Sequence, residues 1–125
     1  MRPRSQESRG LSLLSLWAPV LIWCGFIFYL SSIPHLRFVQ SHWDLLIRKI
    51  GHFGVYGILA RLIARALTGS TFWPWRKIFL WSLVSTVLYA CSDEYHQRSV
   101  AGRSGAFHDV VIDGAGAWFA LGLTP

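Results

Sequence analysis

Residues 11–31 read LSLLSLWAPVLIWCGFIFYLS, 21 consecutive positions without a charged side chain. As an α-helix rising about 1.5 Å per residue, this stretch is long enough to cross the roughly 30 Å hydrocarbon core of a bilayer. A basic leader of Arg2, Arg4 and Arg9 precedes it, as in a secretory signal peptide. The run exceeds the roughly 7–15 residues of a usual signal h-region, however, and no A-x-A-like exit follows. It is therefore read as a retained transmembrane helix, with Pro19 kinking it or lying near its first turns.

The rest of the chain agrees with a membrane setting. Its 125 residues suit a single domain, 1–125. Hydrophobic residues reach 53% and charged residues only 14%, with a mean hydropathy of +0.39. An ordinary soluble domain has roughly 45–50% and about 25%, so the composition points away from a water-soluble globule. Aromatic residues at 15%, including seven Trp, exclude a disordered basic tail. The 12 Lys+Arg against 6 Asp+Glu do not point to nucleic acid. They are scattered in twos and threes between apolar runs, as flanks of membrane spans are. Cys24 and Cys91 fall at different depths of different runs and are read as small apolar residues rather than a disulfide.

Three further apolar segments follow, at about 45–67, 78–92 and 106–123, so the fold expected is an all-α membrane protein of four transmembrane helices. The second carries Arg48, Lys49, His52, Arg61 and Arg65, too polar to face lipid on all sides. The third follows Trp73-Pro74-Trp75-Arg76-Lys77, an aromatic and basic cluster typical of an interface, and runs into Asp93-Glu94. The fourth contains Gly114, Ala115, Gly116 and Ala117, small residues that let helices approach closely. With the N-terminus inside, seven basic residues (Arg2, Arg4, Arg9, Arg61, Arg65, Arg76, Lys77) lie on the cytoplasmic side. Five (Arg37, Arg48, Lys49, Arg98, Arg103) lie outside, which favours both termini in. Arg61 and Arg65 then act as topology anchors, snorkelling at i, i+4.

The polar residues left after the anchors are assigned gather at the extracytoplasmic ends of three spans. Lys49, His52 and Tyr56 fall at i, i+3 and i+7 on one helix face. Asp93, Glu94 and Gln97 occupy the exit of the third span, Gly102-Arg103 turns the chain, and Asp109 and Asp113 stand at i, i+4 on the fourth. An ionisable side chain inside a spanning helix costs roughly 2.5–3.5 kcal/mol, so these groups need partners. Lys49 and Arg103 supply two positive charges against the four of Asp93, Glu94, Asp109 and Asp113. Raised carboxylate pKa values, protonation of His52, His96 or His108, or a bound cation would each close the gap. The residues would form either a functional site or a self-satisfied polar plug that sets helix register.

In this order and spacing, Lys49-x-x-His52-x-x-x-Tyr56, Ser92-Asp93-Glu94-x-x-Gln97, Gly102-Arg103 and Asp109-x-x-x-Asp113 before Gly116 resemble the VanZ-like family of small integral membrane proteins. The likeness covers roughly residues 48–116. It departs at Arg48, where the family often has Asp, and at Asp113, where it often has Asn. The family is named for a protein associated with resistance to the glycopeptide teicoplanin. The resemblance implies a role in the bacterial cell envelope and a place in the cytoplasmic membrane; resistance itself is not carried over.

Two functions are expected from these residues. In the first, the outer-face site binds or modifies a lipid headgroup or envelope precursor. Lys49 and Arg103 would hold an anion, Asp93, Glu94 and Asp109 would serve as acid/base groups or cation ligands, and His52 would carry a proton beside Tyr56. In the second, the protein is a non-enzymatic lipid transporter or scaffold, or holds a membrane partner. Gly105, Asp109 and Asp113 also match the second half of the two-metal signature of membrane phosphatidyltransferases, but Tyr95-His96 stands where its first half needs Ala-Arg. Zinc through His96 and His108 lacks the usual ligand spacing. The sequence assigns no cofactor, phosphate loop or nucleophile elbow. The loop 32–44 is expected to lie in the interface over the site.

Overall fold

Four helices form where the apolar runs predict them. In the computed structural model, which describes residues 6–33, 43–100 and 107–123, α1 is Gln6–Ser32, α2 Trp43–Ser70, α3 Trp75–Gln97 and α4 Phe107–Gly122. Each is longer than its apolar run except α4, because helix continues into the flanking polar residues. Pro19 lies inside α1 without ending it. Pro74, in extended conformation, precedes the first turn of α3, a place where its missing N–H costs no helical bond. The loop expected over the site is shorter than 32–44: Ser32 closes α1 and Trp43 opens α2, while residues 34–42 lie outside the described residues. Gly102-Arg103 lies outside them as well.

Two helices are long and apolar enough to cross a membrane, through Leu13–Ser32 and Leu46–Ser70. α2 is the central element and touches the other three, whereas α1 and α4 flank it without meeting among the described residues. Trp23 of α1 donates its indole N–H to the Val55 carbonyl of α2 at 2.9 Å. The Tyr89 hydroxyl of α3 donates to the Cys24 carbonyl of α1. The α2–α4 crossing is the tightest. A Cβ on Gly116 would stand 2.2 Å from the Phe53 carbonyl oxygen, and one on Gly57 would stand 3.1 Å from the Gly116 carbonyl oxygen. Glycine at 116 is thus required by backbone approach, the packing that small residues permit.

Large apolar side chains cover the outside, among them Leu21, Ile22, Leu80, Leu88 and Trp118. The interior contains Leu59, Ile63, Ala117 and Leu121, but also Ser82, Thr86, Asp93, Glu94, Gln97 and Asp113. Cys24 and Cys91 are free thiols.

Candidate functional site

Apart from Ser82 and Thr86, the buried polar residues collect at one end of the bundle, where α1 and α3 finish and α2 and α4 begin. Helical spacing puts His52 and Tyr56 one turn apart on α2, and their rings lie nearly parallel with centroids 6.1 Å apart. Each meets a different neighbour. Tyr56, 1% exposed, donates its hydroxyl to Asp93 Oδ2 of α3 at 2.7 Å. His52 Nδ1 is 3.0 Å from Asp113 Oδ1 of α4.

Asp93 and Gln97 stand one turn apart on α3, and Gln97 Nε2 donates to the same Asp93 Oδ2 at 3.1 Å. That amide nitrogen also reaches Ser31 Oγ of α1 at 3.3 Å. A continuous hydrogen-bonded line therefore runs Ser31, Gln97, Asp93, Tyr56 across three helices. Its open valence is Asp93 Oδ1, which is buried without a hydrogen-bond partner among the described residues; Glu94 Oε1 is in the same condition. A buried carboxylate oxygen left unpaired is costly, and in a native site it marks a position that a ligand donor or water is able to fill.

Glu94 sits beyond the apolar run 78–92 and next to α4. Burial pushes its carboxyl up from the usual range to about 7, with Asp109 and Asp113 adding repulsion. A proton on Glu94 near neutral pH removes one of the four negative charges counted from sequence. Histidines face two others: His52 meets Asp113, and His108 Nε2 is 3.4 Å from Asp109 Oδ1. His96 instead turns to α1, 2.9 Å from Ser32 Oγ and stacked on Phe28. Among the described residues no three His, Cys, Asp or Glu side chains are grouped to hold a metal ion.

Of the nine residues singled out from sequence, the structure brings His52, Tyr56, Asp93, Gln97 and Asp113 into direct contact, with Glu94 and Asp109 beside them. Lys49 is half-buried on α2 and has no ion pair among the described residues. Arg103 lies outside the described residues. Arg48 does not add its charge to Lys49's surroundings unopposed, because its Nη2 and Nε hold Asp44 Oδ2 at 2.8 and 2.9 Å one turn earlier. Ser31 and Asp44 were not legible as participants. Asp44 at i−4 from Arg48 was the available signal for the second; nothing local distinguishes Ser31 from other hydroxyls of the first span.

A cavity of about 240 Å³ opens between α1, α2 and α3 against this line. Its lining mixes apolar side chains, among them Ile27, Leu30 and Val55, with the polar groups of Ser31, Arg48, His52, Tyr56, Asp93 and Gln97. The family model described as VanZ/LLP1 matches residues 15–125. No curated protein and no solved structure matches the chain.

Proposed function

This chain belongs to the VanZ/LLP1 family, and on that premise we propose that it is a multi-pass membrane protein of the bacterial cell envelope. All four helices span the bilayer with both termini cytoplasmic, and the polar end binds or acts on a lipid headgroup or envelope precursor at the outer leaflet. The single observation that carries the reading is the mixed lining of the cavity, apolar side chains together with His52, Tyr56, Asp93 and Gln97. A molecule with a hydrocarbon part and a polar head satisfies both kinds of group, and pockets bind through such a mixture of apolar area and a few placed polar groups. Support for the membrane setting comes from surface and core together. Leu21 and Ile22 are about 70% exposed while Asp93, Glu94 and Asp113 are buried, the reverse of the distribution water selects.

Within the site, Asp93 Oδ1 accepts a hydrogen bond from a hydroxyl or ammonium group of the ligand, while Tyr56 and Gln97 hold the carboxylate through its other oxygen. His52, set by Asp113, is the group placed to carry a proton. Lys49 and Arg103 supply the cationic side for a phosphate, Arg103 as a planar fork and Lys49 as a point charge. One-sided chemistry or binding is favoured over a proton path. Between Lys77 and Asp93 the third helix has no charged residue, and its buried polar groups there are the hydroxyls of Ser82 and Thr86.

The test is the lipid and precursor complement that copurifies with the protein, identified by mass spectrometry. Wild type is expected to enrich one headgroup class over the host membrane, and His52→Ala and Arg103→Ala to lose that enrichment while staying monodisperse. The same complement in wild type, both variants and the host membrane would sink the reading.

A further inference from the structure

A second hollow, of about 440 Å³, lies on the α2–α4 face and takes no part in the polar site. Gly54, Gly57 and Gly116 line it where the two helices come together, and Ile58 and Phe119 add exposed apolar surface. Along α2 the lining residues continue to Arg61 and Arg65, both exposed and one turn apart. From Gly54 to Arg65 the helix rises about 16 Å, close to half of the roughly 30 Å hydrocarbon core. The hollow is thus one leaflet long, apolar along its length and cationic at one end.

Among the described residues lining the groove, the charged side chains are Arg61 and Arg65, and Arg76 and Lys77 open α3 only a short link beyond the end of α2. Arg65 also donates to the Ser15 carbonyl of α1 at 3.4 Å, which holds its guanidinium at the bundle surface with donors to spare. Snorkelling explains how the arginine stems lie on apolar surface. It does not explain why both border a groove left empty by the packing of α2 on α4.

We infer that this groove seats one acyl chain of an anionic phospholipid whose phosphate is held by Arg61 and Arg65, in the leaflet opposite the polar site. The guanidinium forks match phosphate oxygens, and the acyl chain lies along the open face at Gly54, beside Ile58 and Phe119.

The full chain, purified in mild detergent, is titrated separately with phosphatidylglycerol and phosphatidylcholine, and bound lipid is read by native mass spectrometry. Wild type is expected to hold one phosphatidylglycerol and to prefer it over phosphatidylcholine. Arg61→Gln and Arg65→Gln should each weaken it about fivefold. Gly54→Leu should abolish the adduct with both arginines in place, since Gly54 lines the groove and a Cβ there meets nothing within 4 Å. His52→Ala should leave the adduct intact, which separates this site from the polar end. Equal retention of the two lipids, retention unchanged by Gly54→Leu, loss on His52→Ala, or a lipid-free homodimer would each overturn the inference.

Discussion

Tyr56 shows how much a single side chain carries in this molecule. Its ring packs in the apolar core while its hydroxyl donates to Asp93, whose remaining support is Gln97 on the same oxygen. Tyr56→Phe deletes the donor and leaves the carboxylate more exposed to a low dielectric, so a loss of about 1–3 kcal/mol is expected. Thermal unfolding in detergent reads it, with Tyr95→Phe, 78% exposed, as the unaffected comparison. At Asp113 the charge and the hydrogen bond are separable. Asp113→Asn keeps a partner for His52 and should stay close to wild type in thermal stability, whereas Asp113→Ala strands the imbalance on His52 and should fall well below it. Glu94 gives a pH signature. Its carboxyl is raised from 4.5 to about 7, so the native state binds the proton more tightly than the unfolded chain. That contribution is complete below about pH 4.5 and lost as pH rises through about 7. Glu94→Gln should flatten this part of the stability–pH curve; an unchanged slope would remove Glu94 as its source.

Among the elements, the α2–α4 pair is held by backbone proximity more than by side-chain volume. Gly116→Ala would put a methyl 2.2 Å from the Phe53 carbonyl oxygen, and a carbonyl on a helix cannot swing aside as a long side chain can. The helices must separate, at a cost of about 1–3 kcal/mol or more. Gly25→Ala on α1, where a new Cβ meets nothing within 4 Å, should be neutral or slightly stabilising through helix propensity. A comparable loss in both variants would mean that the close approach at Gly116 is not what makes the substitution costly. The same proximity aligns the start of α4 with His52, so an element-level change at Gly116 should also disturb the His52–Asp113 contact.

For the molecule as a whole, the proposed topology makes opposite statements about two exposed positions. Phe72 is fully exposed in the link between α2 and α3, and Ser99 is exposed in the turn after α3. In a Cys24→Ala, Cys91→Ala background, Ser99→Cys should react with an impermeant thiol reagent added to intact cells, and Phe72→Cys only after lysis. The reversed pattern would move the polar end to the cytoplasm, and with it the leaflet of its ligand. The balance of charge also divides at this scale. A chain of net charge +6 keeps five of its six carboxylates at one end and lines a groove near the other with arginine.

What the sequence determined by itself is local or additive: helices over the apolar runs, the turn-by-turn pairing of His52 with Tyr56 and of Asp93 with Gln97, and a surplus of carboxylates needing relief. These follow from a rise and a periodicity that each helix has alone. The family likeness was readable for the same reason, since its residues recur at fixed intervals within helices. Which helix each group faces was decided only by the tertiary structure. Asp93 turns to Tyr56 and Asp113 to His52, Ser31 is drawn in from α1, and Arg48 is answered by Asp44. Partner choice of this kind depends on the rotation and separation of packed helices. Here a backbone contact between Phe53 and Gly116 sets one of those separations, a length that no residue's own chemistry records.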